Sequence, residues 1–95
     1  MNRALRPSIQ VIEYVRRLAP EPRHTVKRAL EMLRQERGDI RALEGGLAGY
    51  YRLRAGRHRI IFSYAADQAI EAVFIEERSL VYEVFAAELL KKLKT

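Results

Sequence analysis

The chain has 95 residues, 48% of them hydrophobic, and carries 18 Lys and Arg against 12 Asp and Glu, for a formal net charge of +6. That length predicts one domain, residues 1–95, with a modest core and no room for a second, and the basic balance favours a polyanionic partner such as nucleic acid, the ribosome or an acidic protein. Cysteine is absent, which excludes a disulfide framework and a thiolate zinc site, and the histidines are isolated from one another, so no metal and no cofactor is expected.

No apolar run approaches the ~18 residues of a membrane span, and the N-terminus lacks the apolar stretch of a signal peptide, so the expectation is a soluble, cytoplasmic protein with no membrane partner. Along the chain, Pro7 and Ser8 make a helix start signal, and Ile9, Ile12, Val15 and Leu18 follow at near-helical spacing. This predicts a helix over 8–18, stopped by Ala19 and Pro20. Glu21 and Pro22 open a second helix with Val26, Ala29, Leu30 and Leu33 on one stripe, ending before Gly38. Together they form a helical hairpin.

Residues 38–49 are glycine-rich and read as a connector anchored by Leu43 and Leu47; the Gly45 and Gly46 pair lacks the spacing and the lysine of a phosphate-binding loop. Three strands are predicted at about 50–54, 58–64 and 70–76, forming an antiparallel meander, and residues 1–6 offer at most one short strand more. A last helix, Ser79 to Lys94, carries Leu80, Val81, Val84, Phe85, Leu89, Leu90 and Leu93, a stripe wider than one sheet contact needs. The predicted class is α+β: an N-terminal helical hairpin packed on a small antiparallel sheet of three to four strands, with a C-terminal helix.

The segment from Gly49 to Tyr64, GYYRLRAGRHRIIFSY, is the most informative. A two-residue turn at Ala55 and Gly56 would set Arg54 opposite Arg57 and Arg52 opposite Arg59, four arginines on one face, with Tyr51, Leu53, Ile60 and Phe62 on the other as core. Opposed like charges cost roughly 0.2–1 kcal/mol per pair, so such a face is better suited to binding an anion than to stabilising its own sheet. The ordinary alternative is a solvated face partly neutralised by carboxylates; Glu77 opposite Arg57 would account for one arginine but not four. Guanidinium forks suit bidentate phosphate recognition. Tyr82, close in sequence to Arg78 and Ser79, is placed to reach the edge of this face, where it would stack on a base or hold a proton near a ribose, or else serve as a core-edge side chain. His58 falls on the core face and His24 among exposed charges. There is no nucleophile elbow, no HExxH, and no acidic cluster for a divalent metal. Any catalysis by arginine and tyrosine would be metal-free RNA cleavage by the substrate's own 2′-hydroxyl.

Leu43, Glu44 and Gly45, then the Gly49–Phe62 segment, then Arg78, Ser79, Leu80, Val81 and Tyr82 at a strand-to-helix junction, preceded by the helical hairpin, resemble the RelE/ParE superfamily of toxins from toxin–antitoxin systems. The resemblance implies a RelE-like fold and a ribosome-dependent mRNA endonuclease that cleaves codons in the A site, neutralised by a small acidic antitoxin; it leaves a toxin–antitoxin hetero-oligomer open. It implies further that Arg52 and Arg54 grip the mRNA backbone and assist 2′-hydroxyl activation. By the same likeness Arg59 stabilises the transition-state phosphate and Tyr82 stacks on a base. Arg78 matches an arginine common just before that segment, and Arg57 joins it as RNA-binding. The chain departs from the family pattern where Arg54 replaces a lysine, and where Glu76 and Glu77 replace a basic residue or histidine. Arginine stays protonated, with a pKa above ~12, and is a poor general base. Two other readings therefore stay open: a ParE-like, non-enzymatic inhibitor of DNA gyrase, and a degenerate toxin that mainly binds its antitoxin.

Overall fold

A computed structural model of the chain describes residues 2–94. The elements are β1 (Leu5–Pro7), α1 (Ile9–Arg17), α2 (Pro20–Leu33), β2 (Ile40–Ala42), a single 3-10 turn (Gly45–Leu47), β3 (Tyr51–Ala55), β4 (His58–Tyr64), β5 (Ile70–Glu77) and α3 (Val81–Lys94). Ser8 caps α1: its Oγ accepts from the Val11 N–H at 3.2 Å and donates to the Val73 carbonyl at 3.0 Å, tying the helix start to β5. Pro20 and Pro22 sit in the first turn of α2, where a missing N–H costs nothing. Arg23 Nη2 donates to the Leu18 carbonyl at 2.8 Å and closes the corner between the two helices.

The strand order is β1-β5-β4-β3-β2, with β1 parallel to β5 and the other pairs antiparallel. The meander and both predicted helices of the hairpin are present, but the sheet has five strands. The connector expected over 38–49 contains β2, which pairs with β3 through Ile40 opposite Leu53 and Arg41 opposite Arg52. A three-residue strand shows too little alternation to be read from sequence, and its partner supplies the order.

The hairpin register also differs from the expectation. The two-residue loop is Gly56 and Arg57, not Ala55 and Gly56, so Ala55 faces His58, Arg54 faces Arg59, Leu53 faces Ile60 and Arg52 faces Ile61. Gly56 has φ 63°, the positive value a II′ loop requires of its first residue. Ala55 is buried, and this register keeps it in the core instead of stranding it in a turn. The change moves the pairing by two, so each side chain keeps its face. Arg52, Arg54 and Arg59 still share one; Arg57 is displaced into the turn.

The helix-hairpin side of the sheet holds the larger core, including Val11, Val26, Leu33, Leu53, Ile60, Phe62, Ile70 and Ile75, all at most 1% exposed. Each such side chain contributes roughly 1.5–3 kcal/mol by leaving water. On the opposite side, Ile61, Phe74, Val81 and Phe85 form a smaller cluster beneath α3, with Leu43 and Leu47 packed against it as anchors. A β-bulge serves both cores. Ile61 pairs with Phe74 but Phe62 pairs with Ala72, leaving Val73 as the extra residue. Val73 and Phe74 consequently both pack toward α3, while Ile75, Ala72 and Ile70 all reach the larger core. α3 begins at Val81, two residues after Ser79, so Leu80 of the predicted stripe lies outside it; Leu80, Leu90 and Leu93 are exposed, and only part of that stripe is buried.

Candidate functional site

Period-two alternation places Arg41 of β2, Arg52 and Arg54 of β3 and Arg59 of β4 on the α3 side of the sheet, beyond the apolar cluster. Two cross-strand pairs bring like charges together: Arg41 with Arg52, and Arg54 with Arg59. The β5–α3 junction adds Arg78, and the first turn of α3 adds Tyr82, which is 40% exposed.

Arg59 reports their proximity. Its guanidinium is pushed below the usual arginine range, first by burial, then by Arg54, Arg52 and Arg78, against an opposing effect from Tyr82. Its Nη1 donates to the carbonyls of Gly56 and His58, both at 2.9 Å, so the hairpin turn fixes the side chain. Arg54 is exposed, with Nη1 3.9 Å from Asp39 Oδ2. Arg52 is only 8% exposed and donates from Nη2 to Asp39 Oδ1 at 3.2 Å. The structure thus gathers Arg52, Arg54, Arg59, Arg78 and Tyr82, and buries one of the two arginines expected to grip a ligand.

Arg57 does not join them on the face. It is exposed in the turn and lines a cleft with Glu21, Pro22 and Thr25 of α2, while its carbonyl accepts from the Arg78 N–H at 2.9 Å. Glu77 stands opposite His58, not Arg57, and Glu76 stands opposite Arg59. The Glu76 carboxylate is nevertheless engaged elsewhere: Oε1 accepts from Tyr14 Oη at 3.3 Å and from the Glu77 N–H at 2.9 Å. Burial, followed by Glu76, pushes the Tyr14 phenol up to about 12. His58 is buried on the core side, edge-on to Tyr14 with ring centroids 5.5 Å apart, and His24 is exposed.

Asp39 and Arg41 are the site residues that sequence reasoning missed. Both lie in the stretch taken for a connector, and the one hint was a single alternation, Ile40-Arg41-Ala42. Among the described residues no group of three or more His, Asp or Glu side chains is arranged to hold a metal ion. What the face offers is guanidinium forks for an anion, a phenol at its border and one internal carboxylate.

No protein-family model and no curated protein sequence matches the chain. Solved structures do match in shape. The toxin–antitoxin complex RelBE2 of Mycobacterium tuberculosis contains a chain 20% identical with a TM-score of 0.70, the alignment covering 82% of this chain and all of that one. The RelE–RelB complex of Pyrococcus horikoshii gives 24% identity and a TM-score of 0.66 over 82% of this chain and 97% of that one. A YoeB/ParE toxin of Agrobacterium tumefaciens gives 17% and 0.65 over 79% and 98%. This chain therefore has the fold of the RelE/ParE superfamily.

Proposed function

We propose that the chain is the toxin of a toxin–antitoxin module and acts as a ribosome-dependent mRNA endonuclease. The observation that carries this reading is the convergence of Arg52, Arg54, Arg59, Arg78 and Tyr82 on one face, at a cost in like-charge repulsion that a merely structural sheet has no use for. Arg54 and Arg59 receive the scissile phosphate. The substrate's 2′-hydroxyl oxygen bonds to phosphorus as the P–O5′ bond breaks, leaving a 2′,3′-cyclic phosphate and a 5′-hydroxyl; its proton passes by way of water to the departing oxygen. The arginines stabilise the charge that develops on the phosphorane, and Tyr82 stacks on a neighbouring base. Arg57 and Arg78, joined through their backbones at the end of the hairpin, extend the positive field. An acidic antitoxin fits the net charge of +6, and two of the structural neighbours described above were solved in antitoxin complexes.

A second reading, inhibition by protein binding alone, is favoured by one observation: the face offers guanidiniums, a phenol and a single carboxylate, Asp39, already held by Arg52, so no group there is a free base at neutral pH. Purified protein added to a cell-free translation reaction separates the two. Codon-internal cuts seen by primer extension only when ribosomes are present support the nuclease; intact mRNA beside blocked growth moves the target to gyrase or another protein.

A further inference from the structure

Asp39 is the one carboxylate that forms ion pairs with the arginine face among the described residues, and it treats two arginines differently. Oδ1 accepts a hydrogen bond from Arg52 at 3.2 Å, whereas Oδ2 lies 3.9 Å from Arg54, beyond hydrogen-bonding range. The position of Asp39 is itself fixed. Its carbonyl accepts from the Arg54 N–H at 3.1 Å, and the preceding Gly38 holds φ 125° with its α-carbon so close to Leu53 that an added Cβ would lie 3.0 Å from Leu53 Cδ1. A nearly buried guanidinium needs a counter-ion to offset its lost hydration, and Asp39 supplies it to Arg52. Arg54 keeps its donors available and stands directly opposite Arg59.

We propose that Asp39 is a positioning residue that divides this face into a fixed cation and a working pair: it locks Arg52 in place, and a phosphodiester draws Arg54 off Asp39 to be held between Arg54 and Arg59. The proposal rests on the reading of the face as an RNA-backbone site. It reassigns Arg52 from gripping the ligand to shaping the field behind it. Arg59 is made less basic first by burial and then by Arg54 and Arg52, and an incoming anion relieves the second, repulsive part.

The test uses the full chain and a single-stranded DNA hexanucleotide, which carries phosphodiesters but no 2′-hydroxyl to react. Titration followed through the arginine side-chain NMR signals should move Arg54 and Arg59 and leave Arg52 nearly still. Asp39→Asn should bind the hexanucleotide about three- to tenfold more tightly at low salt, since one competing negative charge is gone. Asp39→Glu should bind like the parent. No binding by the parent, Arg52 signals that move as far as those of Arg54, or an Asp39→Asn protein that binds no more tightly would each overturn the proposal; the parent titration stands even where a variant folds poorly. Binding in the expected pattern beside uncut mRNA would instead retire the nuclease reading and leave Asp39 in this role.

Discussion

Glu76 is paired with Arg59 across the β4–β5 ladder, yet its carboxylate accepts from the hydroxyl of Tyr14 on α1 instead of neutralising the arginine. On its other side β5 has no strand at this level, since β1 pairs only with Ile70 to Ala72, and the open edge lets the side chain reach the helix hairpin. A glutamate in what the family resemblance marks as a basic position is thereby drawn away from the arginine face.

The Tyr14 phenol, raised to about 12 by burial and by Glu76, gives this contact a signature in pH. A phenol that holds its proton more tightly when folded stabilises the protein fully below its unfolded pKa of ~10, and that contribution is lost as pH rises toward 12. We expect urea midpoints to fall across this window and to fall less steeply in Tyr14→Phe. Equal slopes in the two proteins would remove the contact from the account.

Arg59→Ala should cut ribosome-dependent cleavage by at least ~100-fold, the usual loss when one donor to a developing oxyanion is removed. Stability should change by no more than about 1 kcal/mol, because the lost bonds to Gly56 and His58 carbonyls are offset by relief of repulsion from Arg54. Primer extension and urea unfolding on the same preparation check both halves. Loss of cleavage accompanied by a large loss of stability would place Arg59 in the fold rather than the chemistry.

Much of this site was legible because face assignment survives a register error of two. Arg52, Arg54 and Arg59 stay together under either turn, and Leu53, Ile60 and Phe62 stay in the core. Arg57 is misplaced by centring the turn one residue early; the glycine a II′ loop needs first and the burial of Ala55 both favour the later turn. β1, allowed for only as one short strand over residues 1–6, and β2, which falls in the predicted connector, are weakly marked for a different cause. Each is three residues long, too short to show alternation, and takes its order from its partner, β1 from the distant β5 and β2 from β3, the next strand in the chain. Burial of Arg52 was equally hidden, since it depends on Asp39 arriving from the stretch read as a connector.

At acid pH the tether of the N-terminal segment should give way first. Glu36 accepts from Tyr64 Oη at 3.0 Å and pairs with Arg3 Nε at 3.1 Å; the tyrosine first, then Arg3, hold its carboxyl below the usual range. Its contribution is present above the ordinary glutamate pKa and lost as pH falls through the lowered value. Protection factors of residues 3–5, which compare exchange with the intrinsic rate at the same pH, should therefore fall on acidification in the parent and be low already at neutral pH in Glu36→Gln. Unchanged neutral-pH exchange in the variant would show that the Arg3 N–H bond to the Arg34 carbonyl suffices alone.

Past the end of β1, side chains close the exposed edge of β5, Ser8 at the Val73 carbonyl and Gln10 at Ile75. Gln10 Nε2 donates to the Ile75 carbonyl at 2.8 Å while its Oε1 accepts from the Ile75 N–H at 2.9 Å, so a side-chain amide stands in for the missing strand. Gln10→Ala leaves both groups of a residue that is itself fully buried without their partner, at a cost of about 1–3 kcal/mol, and opens a strand edge next to the apolar Val73 and Phe74. The variant should unfold at lower urea and self-associate in a concentration-dependent way. Urea titration and sedimentation across a tenfold concentration range check the two effects separately. A destabilised variant that stays monomeric would confine Gln10 to stability, because an open edge that recruits no second strand was not being protected by it.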